Sequence, residues 1–286
     1  MVYRIFLLFT LTISLVSEQK YIQAQVAGQL GNQFFMIANA LSHAFENDAI
    51  ATFPDLKEST VDNIPLNYEK VFFRLNTFRP HSPFEVYQQP EFHYRPIPFL
   101  GNMKLYGYYQ SEKFFKKHFD RIRPYFEPSE EILTTLKRDY ANILEHPKTV
   151  GVHVRVIVEN DTVIDCTKSF PFVTWRYLKK AMEFFGKEYR FIVISNAPDR
   201  VERYIRGITP GFDLTFIRGN PHYIDFYLLS QCKHQIISNS TFSWWAAYLN
   251  KNPDKKVVSP SYKRWFGPVL KDLDTKDILP DTWIQI

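Results

Sequence analysis

The residues best suited to chemistry lie at 234–250, HQIISNSTFSWWAAYLN. The pattern predicts a buried strand that stops at Ser238 and a helix that begins a few residues later, and the gap holds Asn239, Ser240, Thr241 and Ser243. All four are small and can hydrogen-bond. At a helix N-terminus their side chains and the unpaired backbone N–H groups would form a cradle for a diphosphate. Simple N-capping by Ser240 or Thr241 accounts for the same residues about as well. A second constellation is His153-Val154-Arg155, at the end of an apolar strand. Alternation places His153 and Arg155 on one face, with Val152 and Val154 on the other. Arginine forks onto phosphate oxygens, and at the end of a buried strand it is costly unless it meets an anion there. A structural ion pair to a carboxylate is the other way to satisfy it.

Transfer of a glycosyl group from a nucleotide diphosphate sugar would use these parts together. The bond breaks through an oxocarbenium-like state while charge builds on the departing diphosphate. That charge is met either by a divalent metal or by a fixed cation plus helix N–H donors. The sequence offers the second solution.

The elements that must position these residues follow from periodicity. Five short apolar strands are expected at 149–155, 190–195, 213–217, 235–238 and 256–259, with helical spacing between them at 175–185, 199–207, 223–232 and 242–250. Such alternation predicts a doubly wound parallel sheet with ligands at the carboxyl ends of its strands. In the first half a strand at 21–27 runs into Gly28-Gln29-Leu30-Gly31-Asn32-Gln33, and a helix is expected from about 34 to 46. Residues 103–109 read as a strand and the chain from 114 as helical, whereas 52–98, rich in proline and aromatics, has no clear period. Proline and charge interrupt the pattern between 127 and 147. The expected organisation is therefore a hydrophobic segment at 1–17, an acceptor-side domain at 18–140 and a nucleotide-sugar domain at 141–286.

With 286 residues and 45% hydrophobic content the chain can bury one large core or two modest ones. A net charge of +5 without a dense basic stripe suits an anionic nucleotide sugar and argues against nucleic acid as a partner. The basic cluster at 113–117, KFFKK, reads as a solvated helix face. Two cysteines, Cys166 and Cys232, make neither a disulfide framework nor a zinc site, and the histidines have no metal-ligand spacing, so no metal is expected. The apolar run at 5–16, preceded by Arg4, is too short to span a bilayer with ease and fits a signal-peptide core, but lacks a clean cleavage pattern. We read it as a targeting or anchoring segment, with a short uncleaved anchor and a buried strand left open. The expected location is membrane-associated through this segment: the cytoplasmic face in a bacterium, the Golgi lumen in a eukaryote.

Residues 234–250, the Gly-x-Leu-Gly-Asn-Gln stretch at 28–33 and LYGYYQSEKFF at 105–115 resemble the α-1,2-fucosyltransferase family. The tail agrees, with Val258-Ser259-Pro260, Arg264-Trp265-Phe266 and Ile278-Leu279-Pro280-Asp281-Thr282-Trp283. The string NSTFSWWAAYL is specific; the glycine stretch alone would be weak. The resemblance spans about residue 21 to the C-terminus. It implies an α/β, GT-B-like fold of two Rossmann-type halves facing a cleft. It also implies an inverting transfer from GDP-β-L-fucose to the 2-hydroxyl of a galactose-terminated glycan, without a metal or other cofactor. Arg155 then matches the diphosphate partner, His153 a residue near the nucleotide, and Asp225 an acidic position near the guanine. Ser240, Thr241 and Ser243 match the donor-phosphate loop, with Asn239 beside them, and Gly31, Asn32 and Gln33 match the loop facing the cleft.

Two departures from the family pattern stand out. Val156-Ile157-Val158 replace the second arginine and the nearby aspartate of His-x-Arg-Arg-Gly-Asp, leaving Glu159 and Asp161 as the next carboxylates, which are either candidates for a catalytic base or ordinary loop residues. Ser195-Asn196-Ala197 replace Ser-Asp-Asp, with Asn196 retained as a nucleotide-bonding candidate. A transferase for another nucleotide sugar and a degenerate, non-catalytic sugar-binding homologue are the alternatives. A metal-dependent enzyme using Asp272-Leu273-Asp274 is disfavoured, because that motif sits in a polar segment rather than after a strand.

Overall fold

A computed structural model describes residues 18–156 and 168–286, with the backbone of a small hairpin at 158–159 and 162–163 between them. The first half runs β1 (Tyr21–Ala24), α1 (Leu30–Glu46), β2 (Ile50–Thr52), α2 (Asp55–Glu58), α3 (Ile64–Asn67), β3 (Glu85–Gln88), β4 (Met103–Tyr106) and α4 (Phe119–Ile122). Its strands form one parallel sheet in the order β2-β1-β4-β3. The second half begins with α5 (Glu130–Leu144) and β5 (Thr149–Val154), followed by the antiparallel hairpin β6 (Val158–Glu159) and β7 (Thr162–Val163). It continues α6 (Trp175–Phe185), β8 (Arg190–Ser195), α7 (Pro198–Ile208), β9 (Asp213–Phe216), α8 (His222–Gln231), β10 (His234–Ile236), α9 (Thr241–Leu249), β11 (Val257–Ser259) and β12 (Ile284–Gln285). The second sheet is also parallel, ordered β12-β11-β10-β5-β8-β9.

The expected α/β architecture of two parallel-sheet halves is present, and the strand–helix alternation of the second half was legible because each element carries its own period. α6, for example, opens where Thr174 accepts a hydrogen bond from the Tyr177 N–H at 3.2 Å, and closes at Gly186, whose φ of +94° suits glycine. In the first half, β2 and β3 were not foreseen. Both are short; β2 ends where the aperiodic stretch begins, and β3 lies inside it and is mostly exposed, so no burial pattern marks it. The chain after Phe114 breaks into short 3-10 turns before α4. Lys113, Lys116 and Lys117 there pair with Asp277, Glu112 and Glu46, while Phe115 turns inward. Residue 140 falls inside α5, where Tyr140 takes a non-helical conformation.

One buried apolar cluster contains side chains of both sheets. Its centre is aromatic. Trp245 stacks on Phe34 of α1 at 5.2 Å and on Phe115 at 5.0 Å, and Trp244 lies 4.5 Å from Phe35. The Trp-Trp pair in the diagnostic string is therefore packing that holds α9 against α1, each aromatic contact adding about 0.5–1.5 kcal/mol beyond its area burial.

The expected membrane attachment is corrected. Among the described residues no helix is long and apolar enough to cross a membrane. The run at 5–16 that carried the expectation lies outside the described residues.

Candidate active site

From β5 at the middle of the second sheet, the chain moves outward through β8 and β9, then returns to the other side of β5 for β10, β11 and β12. The reversal leaves a crevice between the carboxyl ends of β5 and β10, the place where open parallel sheets bind ligands. His153 and Ser238 close it from beneath. The His153 Nδ1 lies 2.8 Å from the Ser238 Oγ, both side chains are buried, and the imidazole sits 5.2 Å from the Phe242 ring. Burial, then the charge of Arg155, pushes the His153 pKa down to about 3, so the ring is neutral at physiological pH and serves as a hydrogen-bonding floor.

Arg155 is the first residue past the fully buried β5, and it is exposed. The expected cost of burying its charge does not arise, because the strand ends one residue earlier and Arg155 is exposed, its guanidinium 6.0 Å from the Phe170 ring centre. Asn196, the nucleotide-bonding candidate, contacts the backbone of Val156. Its amide oxygen accepts from the Val156 N–H at 2.9 Å, and its amide nitrogen donates to the Val156 carbonyl. The side chain thus extends the β5–β8 ladder by one step and fixes the backbone just after Arg155.

Two helix N-termini meet above this floor. α1 starts at Leu30, four residues earlier than its periodicity indicates, so Gly31, Asn32 and Gln33 belong to its first turn. Gly31 is required by contact: a Cβ there would lie 2.3 Å from the Thr241 carbonyl carbon and 2.4 Å from the Phe242 nitrogen. Thr241 donates its hydroxyl to the Asn32 Oδ1 at 3.0 Å, and Gln110 donates to the same oxygen at 3.0 Å. Neither α1 nor α9 carries an acidic residue in its first turn or a side-chain cap, so both present positive ends to the same region.

The remaining residues of the loop divide by direction. Gln33 is fully buried; it donates to the Gly28 carbonyl at 2.6 Å and accepts from Asn67 at 2.8 Å, so it braces the glycine turn from behind. Ser243 is also fully buried, its hydroxyl 3.2 Å from the Ser240 carbonyl inside the first turn of α9. Asn239 donates to the carbonyls of Pro171 at 2.6 Å and Trp265 at 3.1 Å. Ser240 is the N-cap residue of α9, nearly buried, with no side-chain cap bond.

Asp225 stands in the first turn of α8, the helix that leads from β9 back to β10. Burial pushes its pKa up to about 6, against the opposing hydrogen bond from the Asn220 amide at 2.9 Å. Asn220 is held in turn by the Tyr140 hydroxyl at 2.9 Å. The same helix end reaches the glycine turn through His222, 2.6 Å from the Asn67 Oδ1, and Asn67 bonds to Gln33. Of the base candidates, Glu159 ends β6 but its side chain lies outside the described residues, as does Asp161 entirely. Gln110 was not foreseen, although it lies within the LYGYYQSEKFF stretch; its Oε1 is buried without a partner beside the two helix ends. Asp274 is exposed and ion-paired to Lys276 at 2.8 Å.

Residues 5–283 match the family described as Glycosyl transferase family 11. The chain belongs to that family. Among the relatives of this glycosyltransferase is the Escherichia coli α-1,2-colitosyltransferase, 25% identical, with the alignment covering 92% of this chain and 98% of that one. Galactoside α-(1,2)-fucosyltransferase 2 of Pongo pygmaeus is 31% identical over 78% of this chain and 67% of its own. Of the solved structures, NodZ α-1,6-fucosyltransferase from Bradyrhizobium, soaked with GDP-fucose, superposes with a TM-score of 0.52 at 13% identity, covering 86% of this chain and 97% of that one. This likeness supports the GT-B-like fold.

Proposed function

We propose that this glycosyltransferase moves L-fucose from GDP-β-L-fucose to the 2-hydroxyl of a galactoside, forming an α-1,2 linkage with inversion and without a metal. The observation that carries the reading is the meeting of α1 and α9 at Gly31 and Thr241, which directs two uncapped positive helix ends into the crevice beyond His153 and Arg155. During transfer the acceptor oxygen bonds to the anomeric carbon as the bond to the diphosphate oxygen breaks, and the acceptor proton leaves to a base. The charge gained by GDP would be met by Arg155 and the helix N–H groups, and the Asp225 carboxylate would accept from the guanine edge. Both relatives carry an α-1,2 linkage in their names.

A screen of nucleotide-sugar donors against galactosides, with linkage analysis of the product, tests the reading. Expected is a fucosyl-α-1,2-galactoside; turnover with another donor alone, or another linkage, would overturn it. Colitosyl transfer is the second reading, favoured by the extent of the E. coli alignment, and a colitosyl donor in the same screen decides between the two.

A further inference from the structure

A cavity of about 410 Å³ opens beside the crevice, within the range of small-molecule sites. Its walls are the approach to α6, the Asn239 turn after β10 and the segment that follows β11. Lys263, Arg264 and Lys271 line it together with Phe172 and Phe266, and among the described residues no acidic side chain does. These three cations are exposed and in no ion pair among the described residues, unlike the nearby Lys276, which is held by Asp274. The ammonium of Lys263 lies 5.9 Å from the Tyr262 ring centre.

The position of the cavity matters as much as its charge. Asn239 forms part of the wall, tied to Pro171 and Trp265, so the cavity shares a boundary with the α9 loop. The Phe266 ring is 5.9 Å from the Phe170 ring, which lies under the Arg155 guanidinium at 6.0 Å. Two short steps therefore lead from the residue proposed to hold the diphosphate to the cavity. Asp225 stands apart from this wall, in the first turn of α8, whereas the cavity is walled by segments that follow β10 and β11 and lead into α6. Aromatic faces and unpaired cations suit a sugar ring that carries a negative charge.

We infer that this cavity is an acceptor subsite for an anionic group, a carboxylate or a phosphate, on the glycan that receives the sugar. The inference rests on the proposed transferase reading and gives its acceptor a chemical class. Lys263, Arg264 and Lys271 attract the anion, while Phe172 and Phe266 pack against the ring that bears it.

The test uses the full chain and three acceptors: a neutral β-galactoside, the same galactoside extended by a glucuronic acid, and the same galactoside bearing a phosphate monoester. Transfer is measured for each, and acceptor binding in the presence of GDP is measured separately by titration calorimetry. Expected is a KM for one or both anionic acceptors lower by about tenfold, the scale of a few partly screened charge contacts, and a preference that shrinks as salt rises. Whether the carboxylate or the phosphate gains more identifies the anion. The Lys263→Ala/Arg264→Ala variant should lose the preference while keeping neutral-acceptor transfer and GDP affinity. Lys271→Gln provides the same comparison should the double variant fail to fold. Equal KM values for the three acceptors, or a loss of GDP affinity in the variants, would overturn the subsite. If no fucosyl transfer occurs but the variants still lose anionic-acceptor binding, the donor reading fails and the subsite stands.

Discussion

The Thr241 hydroxyl donates to the Asn32 Oδ1 at 3.0 Å, joining two helix N-termini 209 positions apart in the chain. Beside that bond Gly31 lies against the backbone of Thr241 and Phe242, and behind it Phe34 and Trp245 stack. The contact that joins the halves of the molecule is also the contact that shapes the proposed phosphate site.

Gly31→Ala therefore acts on both at once. A Cβ would lie 2.3 Å from a main-chain carbon, and main chain cannot swing away as a side-chain tip can. The expected cost is about 1–3 kcal/mol of stability, the usual penalty of overpacking, with transfer reduced further because the helix ends are forced apart. Thermal melts and initial rates check this; a variant with wild-type melting and rate would show that the contact is loose.

Arg155→Ala should lower turnover by about 10²-fold or more, the typical cost of losing a donor that stabilises departing charge. GDP affinity should fall as well. Arg155→Lys should recover part of the rate, since a point charge lacks the forked geometry. Val156 occupies the place of the family's second arginine, so no neighbour compensates. Near-normal transfer by folded Arg155→Ala would remove the residue from the mechanism.

Asp225 titrates at about 6 in the folded chain, above its ordinary 3.8. Between those values the folded state holds a proton that the unfolded state lacks, so this group's contribution to stability declines as pH rises through the window. Binding runs the other way. A carboxylate that accepts from guanine is present only above about pH 6, so GDP affinity should rise from pH 5 to pH 7. Asp225→Asn should flatten both profiles, read by chemical denaturation and by GDP titration at each pH.

A base that takes the acceptor proton affects turnover far more than donor binding. Glu159→Gln and Asp161→Asn, measured separately, should leave GDP affinity nearly unchanged while one of them depresses kcat. Wild-type rates in both would exclude the pair.

Fucosyl transfer should persist in EDTA, since Arg155 and the helix ends are proposed to neutralise the leaving group. Activity abolished by EDTA and restored by manganese would show that this charge scheme is wrong.

Much of the second half was legible in the sequence because its signals are local. Thr149, Arg190 and Trp175 begin their elements where the apolar period begins, and His153 and Arg155 are placed at a strand end by counting alone. The family string likewise announced the Asn239–Ser243 loop. Tertiary structure decided which of these residues face the crevice. Gln33, Ser243, Asn239 and Thr241 look alike in sequence, yet the fold gives them different partners: Ser243 bonds within the first turn of α9, Gln33 to Asn67, Asn239 to Trp265 and Thr241 to Asn32. Asn196 completes a ladder beside Val156. Gln110 enters the site through a bond to Asn32, 78 residues away. A polar side chain has a fixed inventory of hydrogen bonds. Sequence states that inventory, but only the packing of distant segments determines which bonds are already made and which remain for a substrate.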